Sequence, residues 1–173
     1  ALVSLVKFLA DPEEKLPSIT YWLMGSLGTA SYQDLWIGGP LIVIGILILY
    51  VLRWRMNILS LSDEEAKSLG ISLTKMKWLV ILGATLITSA SVAIAGLIGW
   101  VGLIIPHIVS MLVGSNNQSV LPVSVLIGSM YLLLIDNVAR SLTATEIPLS
   151  ILTAIIGAPF FAFLLRKTGG GWN

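Results

Sequence analysis

The chain has 173 residues, of which 56% are hydrophobic and 11% charged, and its formal net charge is +1. Soluble domains carry roughly 25% charged residues, so a water-soluble fold of this size is excluded and an integral membrane protein of the all-α class is predicted. The small net charge gives no support for a nucleic-acid partner, and the absence of cysteine excludes disulfides and thiol chemistry within this chain.

The first predicted element is apolar. Residues 1–10 are interpreted as the end of a truncated transmembrane helix, because Ala1 is not a methionine and no basic segment precedes the apolar residues as in a signal peptide. Residues 11–34 are predicted to form an outer loop with a short interfacial helix over 18–27. Tyr21 and Trp22 in that helix are typical of the aromatic belt at a bilayer surface.

The first complete transmembrane helix is predicted over residues 35–52, because no charge occurs between Asp34 and Arg53 and about 20 apolar residues cross a bilayer. Residues 78–173 are predicted to contain four further transmembrane helices and a cytoplasmic C-terminus. Their apolar stretch is too long for one helix, so it is expected to break near the glycines of 95–102 and at the polar segment 115–119. The four predicted helices cover 78–95, 101–113, 121–139 and 148–165.

The basic residues predict the orientation. Most of them lie in or beside the loop 53–77 or follow the last predicted helix, and such clusters are typical of the cytoplasmic side. They are Arg53, Arg55, Lys67, Lys75, Lys77, Arg166 and Lys167. Arg140 then lies on the outer side, together with most of the carboxylates.

The loop 53–77 is the most polar stretch of the chain. Ser62 and Glu65 have the spacing of a capping box, and Gly70 is suited to end the helix that follows. A short helix is therefore predicted over 63–69, preceded by a second one over 56–61. Two interpretations remain open: a docking element for a cytosolic partner, or an ordinary solvated loop.

Asp136 and His107 are the titratable residues within the predicted helices that could form a site. Asp136 lies four residues before Arg140 on one helix face, and a structural ion pair or a helix cap is favoured over a proton relay, which needs a series of such groups. His107 is the single histidine and cannot form a metal site without further ligands. No metal site and no cofactor are predicted. Because the chain lacks a phosphate-binding loop and a nucleophile set, it is not expected to be an enzyme.

Seven short motifs occur in series between residues 21 and 167. They are RMNILSL at 55–61, EEAKSLG at 64–70, AGLIGWVGLIIPH at 95–107, LPVS at 121–124, DNVAR at 136–140, TEIP at 145–148 and TAIIGAPFF at 153–161. In this order and at this spacing they resemble the FecCD-type permeases, the membrane subunits of ATP-binding cassette (ABC) importers for iron-siderophores, haem, vitamin B12 and related metal chelates. Members of that family are about twice as long, and this chain resembles their C-terminal half.

The resemblance implies an all-α, polytopic transmembrane helical bundle, half of a ten-helix ABC importer permease. It implies a second permease copy in a homodimer, a separate cytoplasmic ATPase, a substrate-binding protein on the outer side, and a location in the bacterial inner (cytoplasmic) membrane. The loop 53–77 then becomes the coupling loop that docks the ATPase. Its residues implied in coupling are Met56, Asn57, Leu59, Leu61, Ser62, Glu64, Glu65 and Gly70.

The resemblance also implies that Arg140 pairs with a glutamate of the binding protein, since arginine can bind a carboxylate through two nitrogens. A pair with Asp136 or Glu146 within the chain is the alternative. Ser62 stands where many members have glycine between the two short helices, and serine can cap the second of them.

Two other functions remain open. An ion-gradient-driven secondary transporter is expected to carry charged intramembrane residues and inverted repeats, and Asp136 is the one observation in its favour. A structural membrane subunit is the third possibility. The transported compound is left open among siderophores, haem, cobalamin and small oxyanions such as molybdate.

Overall fold

The computed structural model describes residues 2–60, 65–66, 70–142 and 146–168, and within these ranges every regular element is helical. The predicted all-α fold is confirmed. A one-turn 3-10 helix, Asn57–Ser60, follows the third α-helix directly, and Glu65–Ala66 is also helical. The α-helices are α1 Leu2–Leu9, α2 Lys15–Leu23, α3 Tyr32–Met56, α4 Leu73–Ala95, α5 Val101–Val113, α6 Asn117–Ser141 and α7 Leu149–Thr168.

Three of the described helices are long and apolar enough to cross a membrane: α3 with the turn that follows it, α4 and α6. The other two predicted spans correspond to α5 and α7, whose apolar stretches are shorter. Large apolar side chains remain exposed on these helices, with Trp36 81% and Val51 73% exposed. Apolar exposure of this extent marks contact with lipid or with other protein surfaces, as expected for a multi-pass membrane protein.

Helix α3 is longer at both ends than the predicted span 35–52. It begins at a capping box, in which Ser31 Oγ accepts from the Asp34 N–H at 3.2 Å and the Asp34 carboxylate accepts from the Ser31 N–H at 3.0 Å. It continues past Arg53 and Arg55, which therefore lie in its last turn and not in the loop. Basic side chains are favourable there because they interact with the negative end of the helix dipole.

Helix α4 also begins earlier than predicted. Ser72 caps it by accepting from the Lys75 N–H at 3.5 Å, so Lys75 and Lys77 lie in its first turns. The segment between α3 and α4 is consequently shorter than the predicted loop 53–77.

Glycines allow α3 and α4 to pack closely. A Cβ atom added to Gly45 would lie 2.7 Å from the carbonyl oxygen of Gly83 and 2.6 Å from the side chain of Ile87. A Cβ added to Gly38 would lie 2.6 Å from Ile94. Small residues at such positions let helix backbones approach each other, which is how membrane helices gain packing energy in lipid.

The break between α4 and α5 does not lie at the end of the bundle. Gly96 and Trp100 both have a positive φ, 71° and 67°, and the Trp100 ring packs edge-to-face on Phe161 with 6.4 Å between centroids. Trp100 also contacts Gly157, eight residues into α7 and so about 12 Å along its axis. Helix α5 therefore starts inside the bundle, which accounts for its short length of 13 residues.

A segment of three residues, Met24 to Ser26, joins distant parts of the chain by main-chain hydrogen bonds. The Ser26 N–H donates to Ala95 O at the end of α4, at 3.0 Å, and the Leu149 N–H at the start of α7 donates to Gly25 O, at 2.9 Å. The Ser150 N–H donates to Met24 O at 3.2 Å. We call these residues the 24–26 segment. It follows α2, which ends four residues earlier than the interfacial helix predicted over 18–27.

Candidate functional site

The two ends of the helical bundle carry different polar groups. At one end, α3 stops at Met56 and α6 starts at Asn117; we call it the Asn57 end. At the other end, α6 stops just after Arg140 and lies near the 24–26 segment; we call it the Arg140 end. The sequence-predicted coupling residues lie at the former, and the predicted docking residue lies at the latter.

The described coupling residues form two short helical pieces. Met56 is the last residue of α3, and Asn57 and Leu59 lie in the 3-10 helix, with Leu59 half-buried. Glu65 is exposed and helical. Gly70 has φ +70°, and the Ile71 N–H donates to Ala66 O at 3.0 Å, a pattern typical of a helix that ends at glycine.

Part of the predicted coupling loop lies outside the described residues. This applies to Leu61, Ser62 and Glu64, and with them to the capping box between Ser62 and Glu65. The predicted helix over 63–69 is described only at Glu65 and Ala66, and Ala66 is fully buried.

The side chain of Asn57 joins the 3-10 helix to the start of α6. Its Nδ2 donates to Asn116 Oδ1 at 2.7 Å, and its Oδ1 accepts from the Asn117 N–H at 2.9 Å. Asn116 Oδ1 also accepts from the Gln118 N–H at 3.0 Å and thereby caps α6. We call this arrangement the Asn57–Asn116 contact.

The sequence predicts a polar break at residues 115–119 but does not predict this contact. An asparagine just before an apolar helix is a typical N-cap, so the cap itself could have been found. Nothing in the sequence pairs it with Asn57.

At the Arg140 end, both internal ion pairs considered above are present. Arg140 Nε lies 2.9 Å from Asp136 Oδ2, and one terminal nitrogen of its guanidinium lies 3.2 Å from Glu146 Oε1. Asp136 is 19% exposed and Glu146 36%, whereas the Arg140 side chain is 44% exposed. The guanidinium is thus held in position and still accessible to a further carboxylate.

Glu146 is itself held by the loop after α2. Its second carboxylate oxygen accepts from Ser26 Oγ at 3.2 Å, and the buried Ser26 Oγ accepts from the Gly28 N–H at 3.0 Å. Gly28 lies so close to Glu146 that any side chain there would collide with the carboxylate. The ion pairs of Arg140 are therefore anchored to α6, to the linker between α6 and α7, and to the loop before α3.

In the part of the chain that the structure describes, no three of His, Cys, Asp and Glu come together to hold a metal ion. His107 lies within α5, half-buried among apolar residues of that helix. The site is defined by hydrogen-bonding and charged side chains at two helix ends, which suits contacts with other proteins better than bond-making chemistry.

The sequence model of the FecCD transport family matches residues 1–167. The chain belongs to the FecCD transport family. The resemblance seen in the motifs is thereby confirmed.

Two relatives in the FecCD family are named for the import of different compounds. The chain is 52% identical over 174 residues to the molybdate import system permease protein MolB of Haemophilus influenzae, covering all of this chain and 52% of that protein. It is 44% identical over 146 residues to the cobalamin import system permease protein BtuC of Halobacterium salinarum, covering 84% of this chain and 39% of that protein. This FecCD chain therefore spans about half the length of the curated relatives it matches, or less.

A solved structure has the same fold as this FecCD chain. It is described as an inward-facing conformation of an ABC transporter assigned to the metal-chelate type. The TM-score is 0.91 at 52% sequence identity, and the match covers 96% of this chain and 54% of that one.

Proposed function

We propose that this FecCD chain is part of the transmembrane permease of an ABC importer for metal chelates or related small compounds. Two copies of the permease form the pathway as a homodimer in the bacterial inner membrane. The chain is a transport subunit and not an enzyme, and a separate cytoplasmic ATPase hydrolyses the ATP. The observation that carries the proposal is the match of residues 1–167 to the FecCD transport family.

The coupling loop is proposed to dock the ATPase, through Met56, Asn57, Leu59, Leu61, Ser62, Glu64, Glu65 and Gly70. Among the described residues, the short 3-10 helix next to α3, the helical residues Glu65–Ala66 and the positive φ of Gly70 support this role. A short helix directly after a long transmembrane helix can transmit a push from a partner, because it is too short to bend. The basic residues around it support a cytoplasmic location.

Arg140 is proposed to dock the substrate-binding protein by pairing with a carboxylate of that protein. Its 44% exposure and its two internal acids support this role. The internal pairs keep the guanidinium extended before docking, and a glutamate of the partner then replaces Glu146, which is the more exposed of the two acids. The internal and the external pair are in this way two states of one site.

The transported compound is proposed to be an iron-siderophore, haem, cobalamin or an oxyanion such as molybdate. One relative is named for molybdate import and another for cobalamin import. The mostly uncharged helices favour a pathway that lets a bulky chelate pass without binding it tightly.

A secondary transporter is not favoured. Asp136 was the observation in its favour, and this carboxylate forms an ion pair with Arg140 at 2.9 Å near the end of α6. A paired acid near a helix end serves as a structural group and is not placed to relay ions through the bundle.

Uptake by proteoliposomes tests the proposal. The permease as the organism expresses it is reconstituted with its ATPase and binding protein, and uptake of ferric siderophore, haem, cobalamin and molybdate is measured with and without ATP. We expect ATP-dependent uptake of one of these compounds. Uptake that needs an ion gradient and no ATP would contradict the proposal.

Substitution of Arg140 tests the docking role separately. Arg140→Ala removes a charge-assisted hydrogen bond to the partner and is expected to weaken binding-protein affinity about tenfold. Lys15→Ala removes another exposed cation from the predicted outer side and is the matched control, with affinity unchanged. If Arg140→Ala and the unsubstituted permease bind the binding protein with equal affinity, the docking role is contradicted and Arg140 has only a structural role.

A further inference from the structure

Helix α6 connects the two candidate sites. It has 25 residues, which corresponds to a length of about 37 Å, enough to cross a bilayer. Its first residue, Asn117, is bonded to Asn57 of the coupling loop, and Arg140 is its next-to-last residue. Because Asn57 is bonded to the first residue of α6, movement of Asn57 can displace this helix, whose other end carries the proposed docking residue.

We propose that Asn57 is a positioning residue that passes movement of the coupling loop to α6 through Asn116 and Asn117. This inference rests on the proposed function, because it concerns the coupling between ATP hydrolysis and transport. Helix α3 is joined to Asn57 by the chain itself, so it moves with the coupling loop in any case. The Asn57–Asn116 contact adds α6 as a second helix that moves with it.

An asparagine amide is suited to this position because it offers a donor and an acceptor on one rigid plane. Asn57 uses both, donating to Asn116 Oδ1 and accepting from the Asn117 N–H. An alanine would lose both bonds, and an aspartate would keep only the acceptor. The contact therefore depends on the chemistry of the amide and not only on its size.

The start of α6 depends on this contact for its own geometry. The first four N–H groups of a helix have no partner within the helix. Asn116 satisfies that of Gln118, and Asn57 satisfies that of Asn117. Pro122 weakens the same part of the helix, since it cannot donate a helical hydrogen bond and its ring crowds the preceding turn. The first turn of α6 is thus held partly by the coupling loop.

The test measures ATP hydrolysed per molecule transported in the reconstituted transporter described above. Asn57→Ala removes the contact. Asn116→Ser removes only the bond between the two side chains, because the serine side chain is shorter; the Asn117 N–H still donates to Asn57, and serine still caps α6. Asn116→Asp keeps an acceptor for both Asn57 and the Gln118 N–H. Ser115→Ala is the matched control, because Ser115 is an exposed neighbour whose side chain makes no hydrogen bond to the described part of the chain.

We expect Asn57→Ala to raise the ATP used per transported molecule about fivefold, the lower end of the effect of losing two hydrogen bonds from the coupled state. Asn116→Ser keeps the bond from the Asn117 N–H and is expected to raise the ratio by a smaller factor, between about twofold and fivefold. Asn116→Asp and Ser115→Ala are expected to stay within about twofold of the unsubstituted protein. Should Asn57→Ala fail to fold, Asn57→Asp replaces it, with an intermediate ratio expected because one of the two bonds remains.

The ratio of ATP hydrolysed to molecules transported distinguishes a positioning role of Asn57 from a purely stabilising one. A purely structural role would lower hydrolysis and transport together and leave their ratio unchanged, and that result would overturn the inference. If the unsubstituted transporter shows ATP-dependent uptake while Asn57→Ala and Asn116→Ser keep its ratio, only this inference fails. If the unsubstituted transporter shows no ATP-dependent uptake, the proposed function fails and the inference with it.

Discussion

At the scale of single residues, positive φ angles have different causes at different glycines. Gly96 and Gly70 have nearly the same φ, 71° and 70°. A Cβ atom on Gly96 would collide with the carbonyl oxygen of Trp22, whereas a Cβ on Gly70 would meet none of the residues that the structure describes within 4 Å. The two glycines share a positive φ, and only Gly96 is also in close contact with another part of the backbone.

We expect Gly96→Ala to destabilise the protein by about 3 kcal/mol, because alanine is strained at φ 71° and ψ −161°, a conformation adopted almost only by glycine, and because its Cβ would overlap a backbone carbonyl. Gly70→Ala is the matched control and should cost about 1 kcal/mol, from the dihedral strain alone. Thermal unfolding of the purified protein in detergent measures both. Equal losses for the two variants would show that the contact between Gly96 and Trp22 contributes nothing.

The polar contacts also show what the sequence could predict about the candidate site. The pair between Asp136 and Arg140 could be found because the two residues are four apart on one helix, where side chains meet by geometry alone. The Asn57–Asn116 contact could not be found, since its residues are 59 apart and no local periodicity connects them. Such a contact is decided by how the helices pack in three dimensions.

At the scale of the elements, the position of α5 depends on one aromatic residue. Trp100 packs against Gly157 and Phe161 of α7. A Cβ on Gly157 would lie 2.7 Å from the Trp100 Cβ and 2.9 Å from Ile104. The small residue in α7 thus lets Trp100 reach into the bundle and fixes where α5 begins.

Gly157→Ala is expected to destabilise the protein by about 2 kcal/mol, because it overfills the space beside Trp100. Gly128→Ala is the control, because its added Cβ would lie 3.7 Å from Ile105, an ordinary contact distance. Alanine also stabilises a helix more than glycine does. The stability of this control is expected to be equal or slightly higher in the same unfolding measurement. A Gly157→Ala variant as stable as the Gly128→Ala variant would contradict this account of α5.

The ends of the helices differ from the sequence predictions more than their order does. The predicted spans stop at Arg53 and Lys77 because hydropathy falls there, but α3 continues to Met56 and α4 begins at Leu73. A charged residue does not by itself end a helix, since a basic side chain in the last turn can extend from the helix toward water. The capping residues, Ser31 and Ser72, mark the starts of both helices better than charge does.

At the scale of the whole molecule, the predicted orientation places the Asn57 end inside the cell and the Arg140 end outside. Lys77 lies near the first end, and Lys15 precedes the 24–26 segment at the other. Both side chains are exposed. The chain contains no cysteine, so a single introduced thiol reports its own location once any cysteines elsewhere in the expressed permease are replaced by serine.

In intact cells with a permeable outer envelope, we expect a membrane-impermeant maleimide to label Lys15→Cys and to leave Lys77→Cys unlabelled. After the membrane is opened, both variants should be labelled. Labelling of Lys77→Cys in intact cells would reverse the orientation and remove the coupling loop from reach of a cytoplasmic ATPase.

The 24–26 segment has a consequence for local unfolding. The amide protons of Ser26, Leu149 and Ser150 all lie in bonds that this segment makes, although the residues are up to 124 positions apart. Releasing the segment frees all three at once, so they should exchange with deuterium at one common rate, as a single cooperative unit. Gly96→Ala is expected to speed that exchange at all three amides, while those of the Asn57 end keep their protection.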